Sequence, residues 1–196
     1  MNTESLITHF ETYLPFEAHE KRLVLERVHT RKLKRRDHIL SVGEVCRHYT
    51  FVVKGILRMY GIDRNGKEHN ILFAAENDWI SDISSFHSTQ PAVANIQAVE
   101  TSEIIQIEQQ DLYHLYSNIP KLDRVFKVIT EEKYVELQNR VFQGLSATAH
   151  QRYVTFLRQY PNLANRLPNT QIAAYLGITP EFLSMIRKEM VRPAEK

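Results

Sequence analysis

Residues 169–188 read NTQIAAYLGITPEFLSMIRK. Side chains that can bond a base edge or a phosphate recur through this stretch: Thr170, Gln171, Thr179, Glu181, Ser184, Arg187 and Lys188. Between them, Ile172, Leu176, Ile178, Leu183, Ile186 and Met190 keep helical spacing. Ala173 is small where two helices would approach closely, and Gly177, four residues on, can turn the chain with positive φ. Thr179 suits a helix N-cap and Pro180 the first helical position. The pattern predicts two short helices joined by a tight corner, a helix-turn-helix. The second helix is expected to bury Leu183, Ile186 and Met190 and to turn Glu181, Ser184, Met185 and Lys188 outward. With double-stranded DNA as partner, that helix would enter the major groove. Glu181 would accept from a cytosine amino group, Lys188 would reach guanine or phosphate, and Met185 would meet a thymine methyl. Thr170, Gln171, Thr179 and Arg187 would hold phosphates and set register, with Pro180 and Ser184 completing the face. The competing reading is an ordinary αα corner inside a helical domain.

Other chemistries find little support. The chain lacks the GxSxG, HExxH and GxxxxGKS/T motifs and has no HxH pair for a cupin-type metal site. An enzyme is therefore not expected. Cys46 is the only cysteine, which excludes an internal disulfide, a multi-cysteine zinc site and a cysteine-ligated cluster from one chain. Of nine histidines, His48, His69, His87 and His114 lie scattered, so no metal or cofactor is expected. No apolar run approaches the roughly 20 residues that span a bilayer, and the first residues lack the form of a signal peptide. A reducing cytoplasm is the expected location.

Net charge is only +2 over 196 residues, but the charge is unevenly placed. Residues 21–38 carry eight bases against two acids, and residues 150–196 seven against three. Two basic ends on a near-neutral chain hint at nucleic acid.

The elements that would position the corner follow from hydrophobic period. Residues 4–13 and 16–28 predict two short helices. From about 30 to 107, HYTFVVKG, ILRMYGID, EHNILFA, VANIQAV and SEIIQIE predict short strands of a sandwich or barrel. RNGK at 64–67 is a hairpin signal between two of them. A short helix is expected over 108–117. A long one follows over 119–144, with Leu122, Val125, Phe126, Ile129, Leu137, Val141 and Phe142 at helical spacing. Another spans 147–160 before the closing pair.

This order, with YTFVVKGILRMYGIDRNGKEHNILFAAENDWISDISSF and the closing motif, resembles the Crp/Fnr family of bacterial transcription regulators, named for the cyclic-AMP receptor protein and the fumarate-nitrate regulator. The resemblance implies an α+β fold in three segments. Residues 1–118 would form a cyclic-nucleotide-binding-like β-roll, a double-stranded β-helix with N-terminal helices. Residues 119–144 would form a long dimerisation helix, and residues 145–196 a helix-turn-helix domain. It implies a homodimer reading a palindromic operator, with a small-molecule effector acting from the β-roll and RNA polymerase as a further partner. The alternative is a ligand- or protein-sensing β-roll module that does not read DNA.

Departures from the family pattern are as informative. Cyclic-nucleotide binders carry a Gly-Glu pair and, about ten residues on, an Arg-Ser pair whose arginine neutralises the phosphate. Ser81-Asp82 and Ala92-Val93 stand at those places here. Asp82 could still take a hydroxyl of an effector, but no nearby residue replaces the arginine, so no cyclic nucleotide is expected by the usual mode. No β-wing is expected after the last helix, which would leave Arg192 and Lys196 to supply extra phosphate contacts. The basic stretch HTRKLKRRDH at 29–38 falls on an early strand of the roll. It reads as a charged, solvated strand edge, with flanking DNA or polymerase as the other readings.

Overall fold

The computed structural model describes residues 3–191, so Arg192 and Lys196 lie outside the described residues. The chain divides into two compact units, Met1–Gly61 with Leu72–Lys133, and Ile62–Ile71 with Tyr134–Lys196.

The first unit holds helices α1 (Glu4–Glu11) and α2 (Ala18–Leu25) and most of eight strands. The strands are β1 (Val28–Leu33), β2 (His38–Leu40), β3 (His48–Lys54), β4 (Leu57–Ile62), β5 (Glu68–Ala74), β6 (Trp79–Ile80), β7 (Asn95–Ala98) and β8 (Ser102–Glu108). They form two four-stranded sheets, β1-β8-β3-β6 and β2-β7-β4-β5. The fold is α+β, a β-sandwich followed by a long helix. The expected helix over 16–28 stops at Leu25, because Val28 is already paired with Ile107 at the start of the β1–β8 ladder. β2, β6 and helix α3 (Ile83–Ser88) are too short to show a period in sequence.

β3 explains how the sandwich is filled. Tyr49, Thr50, Phe51 and Val52 are all buried, so both faces of the strand are covered. Alternation sends Tyr49 and Phe51 to one face, where their rings lie 5.6 and 5.1 Å from Trp79. Phe10 of α1 and Phe126 join the same cluster, at 5.8 and 5.0 Å from the Trp79 ring. Such pairs add about 0.5–1.5 kcal/mol each beyond their buried area. Thr50 points to the other face, where its hydroxyl accepts from Gln106 Nε2 at 3.2 Å. Between β3 and β4 the chain passes so close to β8 that a Cβ on Gly55 would sit 2.8 Å from the Ser102 Cα, at a φ of +99°. Only glycine fits that crossing.

Helices α4 (Gln109–Asn118) and α5 (Pro120–Ser146) follow. α5 starts and ends within two residues of its expected bounds. Its first half buries Leu122, Val125, Phe126 and Ile129, while Tyr134, Val135, Phe142 and Leu145 are exposed, Leu145 at 85%. The second unit adds α6 (Ala149–Gln159), α7 (Asn169–Leu176) and α8 (Pro180–Val191), together with the β4–β5 hairpin tip. The RNGK signal does mark that hairpin. Its connection spans residues 63–67, closed by Asp63 Oδ1 accepting from the Asn65 and Lys67 amides, rather than the two-residue turn that Asn-Gly favours.

His9 of α1 sits in the aromatic cluster, its Nε2 accepting from Trp79 Nε1 at 3.1 Å. Burial pulls its pKa down from 6.5 to about 4. Between those values the unfolded chain binds a proton that the folded chain refuses. Stability is therefore whole above about pH 6.5 and falls as pH drops towards 4. Urea midpoints measured on either side of that window should show the loss, and His9→Gln, which keeps an acceptor for Trp79 but cannot titrate, should flatten it. An unchanged pH profile in that variant would remove His9 as the cause.

Candidate nucleic-acid interface

The corner between α7 and α8 is built from local chemistry. Gly177 caps α7 in the left-handed region at φ +68°, and its amide bonds the Ala173 carbonyl. The Ile178 amide reaches the same carbonyl at 3.1 Å. Thr179 Oγ1 accepts from the Phe182 amide at 3.2 Å, which caps α8, and Pro180 opens the helix. Ile172, Ala173, Leu176, Leu183 and Ile186 are buried on the inner face, and Ile178 is half-buried. Met190, expected inside, is 42% exposed. It stands in the last turn of α8, which ends at Val191.

The outer face of α8 carries Glu181, Met185 and Lys188, all exposed, with Ser184 half-buried. The side chains of Glu181, Met185 and Lys188 have no hydrogen bond or ion pair among the described residues. Ser184 Oγ donates back to the Pro180 carbonyl at 2.9 Å. Thr170 and Thr179 are exposed beside them at the starts of α7 and α8.

Two of the sequence-selected residues are engaged inside the unit. Arg187 turns back: its Nε donates to the Tyr153 hydroxyl at 2.8 Å and one terminal nitrogen to Asn169 Oδ1 at 2.5 Å. Its guanidinium lies over the Tyr153 ring at 5.5 Å. Arg187 thus ties α8 to α6 and to the start of α7, and this role competes with phosphate contact. Gln171 is held by Asn70 of the hairpin, whose Nδ2 donates to the Gln171 carbonyl at 2.8 Å and to its Oε1 at 2.9 Å. Arg140 of α5 donates to the carbonyls of Ile71, Asn70 and Tyr175 and stacks 4.0 Å over the Tyr175 ring. Sequence reasoning missed Asn70, Arg140 and Tyr153. Their partners are 101, 35 and 34 residues away, beyond any periodic signal.

The candidate effector site lies in the first unit. Asp82 caps α3, its Oδ1 accepting from the Ser85 amide at 3.0 Å, and it is buried. Ser81 Oγ donates to the His48 carbonyl. Ala92 is buried, its backbone bonded to Glu44 and Gly43, and Val93 is 82% exposed. Inside the sandwich is a cavity of about 320 Å3 lined by Leu40, Cys46, Thr50, Ile96 and Gln106 among others. His48, also on its wall, is held below the usual imidazole range by burial, against the opposing pull of Glu108. Among the described residues no group of three or more His, Cys, Asp or Glu side chains could hold a metal ion, and no helix is long and apolar enough to cross a membrane.

Residues 30–118 match the cyclic nucleotide-binding domain family. No curated protein matches the chain by sequence. Among solved structures, the c-di-GMP-responsive global regulator CLP of Xanthomonas campestris aligns at 13% identity and a TM-score of 0.73, over 89% of this chain and 91% of that one. FixK2 of Bradyrhizobium japonicum aligns at 17% identity and 0.72, over 83% and 84%. A protein of Eubacterium rectale assigned to the Crp/Fnr transcriptional regulators aligns at 15% identity and 0.70, over 93% and 87%. Residues 30–118 are therefore a cyclic-nucleotide-binding-like domain. The chain around them has the fold of Crp/Fnr-like regulators.

The residues at the phosphate position do not fit a cyclic nucleotide. Asp82 is already spent on a helix cap, and Ala92 offers no cation where a buried phosphate needs one. Calorimetric titration with cyclic AMP should give no binding heat in the micromolar range, and a micromolar affinity would overturn that reading. The corner makes a separate prediction. Arg187→Gln strands the hydroxyl of the buried Tyr153 and should lower stability by about 1–3 kcal/mol in urea unfolding. Thr179→Ala should cost only about 1 kcal/mol, the worth of one cap.

Proposed function

We propose that this chain is a transcription regulator that binds double-stranded DNA as a homodimer, with α8 in the major groove. The observation that carries the reading is the two-faced α8. Its inner face is fixed by Leu183, Ile186 and Arg187, while Glu181, Met185 and Lys188 stand outward with nothing among the described residues to satisfy them. A helix so held presents a rigid reading edge. Glu181 suits a cytosine amino group, Lys188 a guanine or a phosphate, and Met185 a thymine methyl. Thr170 and Thr179 flank that edge as phosphate donors, with Pro180 and Ser184 setting the first turn.

Dimerisation follows from α5. Val128, Val135 and Phe142 recur every seven residues, with Leu145 three residues beyond, and the last three are exposed. An unpartnered seam at heptad spacing is what a second helix covers. In the proposed assembly residues 119–144 pair the subunits, residues 1–118 sense, and residues 145–196 read DNA. The two reading helices then sit one turn of duplex apart, roughly 34 Å. An effector would act at the sandwich cavity, where Thr50 and Gln106 offer neutral polar groups. RNA polymerase is the partner through which such a regulator would act. No catalytic step is assigned.

Selection from random duplexes should return a palindrome with half-sites one turn apart, bound less tightly as salt rises. Lys188→Glu should weaken binding by about 10–100-fold, the worth of one lost base or phosphate contact plus a repelled charge. Failure to enrich any sequence, with and without cell extract, would favour a sensing module that does not read DNA.

A further inference from the structure

Seven of the nine phenylalanines are buried. The other two are Phe142, on the exposed seam of α5, and Phe182, on α8. Phe182 is 41% exposed and makes no ring contact among the described residues. Its backbone is nevertheless held on both sides. Thr179 Oγ1 accepts from its amide at 3.2 Å, and the next residue, Leu183, is fully buried.

Met185 is 46% exposed and lies three positions on, which sets the two apolar side chains side by side along the helix. Its own successor, Ile186, is buried, so it is pinned in the same way. Glu189, exposed four positions beyond Met185, extends the stripe, and the exposed Glu181 stands at its start. No cation belongs to it. Of the two bases in α8, Arg187 turns back onto Tyr153, and Lys188 lies on the other side of Met185 from Phe182 at helical spacing. An apolar pair flanked by carboxylates is a poor surface for phosphates, whereas base edges in the major groove offer it both amino donors and methyl groups.

From this geometry we infer that Phe182 and Met185 together read the C5-methyl groups of pyrimidines, an inference that rests on α8 lying in the major groove. The thymine methyl is the apolar group that a base pair presents there, and phenylalanine is among the side chains that meet it. Cβ atoms three residues apart on a helix are about 5–6 Å from one another. Successive bases of one strand rise by about 3.4 Å, so the pair spans one to two base steps. The half-site then carries neighbouring thymines beside the cytosine that suits Glu181. An apolar patch of this kind senses the methyl and not the rest of the base. A 5-methylcytosine therefore satisfies it as thymine does, and an unmethylated cytosine does not. DNA binding by this chain is thereby sensitive to cytosine methylation within its site.

The test uses the full chain and a duplex recovered by selection. Each thymine of the half-site is replaced in turn by deoxyuridine, which removes the methyl and keeps every hydrogen-bonding group. At one or two positions the exchange should weaken binding about fourfold, the worth of burying one methyl group. With cytosine placed at the same position, its 5-methyl form should bind more tightly by about the same factor. Phe182→Ala and Met185→Ala should each remove the thymine–deoxyuridine difference at one of those positions. The deoxyuridine series needs no variant, so it decides the matter even where a substitution disturbs folding. Equal affinity for thymine and deoxyuridine at every position overturns the inference and leaves DNA reading standing. So does a selected half-site without thymine, or a difference that survives in both variants. Dissociation of the dimer in Phe182→Ala, measured by sedimentation with the thymine–deoxyuridine difference intact, would overturn it in favour of a contact between subunits. Failure to bind any duplex, with and without cell extract, removes the reading and the inference together.

Discussion

Everything in this chain hangs on one helix having to serve two surfaces along its length. The first half of α5 is pinned by Phe126, whose ring meets Trp79 at 5.0 Å, Tyr49 at 5.3 Å and Phe10 at 5.7 Å. That cluster joins α1, β3, β6 and α5 into one core, and fully burying such a ring is worth about 1.5–3 kcal/mol. Past Lys133 the same helix leaves the first compact unit and enters the second. Its apolar residues do not stop there. Val135, Phe142 and Leu145 continue outward without cover. An apolar seam of this kind calls for cover by another surface, which is why the proposal of a second copy rests on α5 rather than on the strands.

The closing corner was legible in sequence because its determinants are local. A small residue at 173, glycine at 177, threonine at 179 and proline at 180 each meet a geometric need within a few residues, and each is used as expected. The strands of the sandwich were legible for the same reason, since period two and turn residues are short-range signals. What could not be read is where long polar side chains end. Arg187 was assigned to phosphate from its position on the helix, yet it reaches inward to Tyr153 and Asn169. Helical spacing fixes the direction of a Cβ, while an arginine head lies several bonds further on. Met190 failed in the opposite sense: its period was right, yet it is 42% exposed.

At the candidate effector site of the sandwich the polar groups are engaged with one another. The carboxylate of Asp82 stabilises α3 by accepting from Ser85. Ser85 in turn accepts from the Cys46 amide and donates to the Gln90 carbonyl. The polar groups of this corner thus satisfy one another, so the segment folds without needing a bound anion. The cavity inside the sandwich is lined by the neutral pair Thr50 and Gln106 and also by Glu44, Arg47 and His48.

The β4–β5 hairpin links the two units covalently, as α5 does. Strand β5 runs Glu68–Ala74, and its residues up to Ile71 belong to the second unit while the rest belong to the first. Asn70 sits on the second-unit side and holds Gln171 at the first turn of α7 by two hydrogen bonds. Arg140 grips the carbonyls on either side of the Asn70–Ile71 peptide from α5. Any slide of β5 must break or carry these bonds, because a strand is nearly inextensible along its axis. Hydrogen bonds to a charged group are worth about 1.5–3 kcal/mol each, and neutral ones about 1 kcal/mol. Allosteric coupling energies are commonly about 1–3 kcal/mol. The bonds made by Asn70 and Arg140 thus fix β5 to α5 and α7 within the second unit with an energy of that same size.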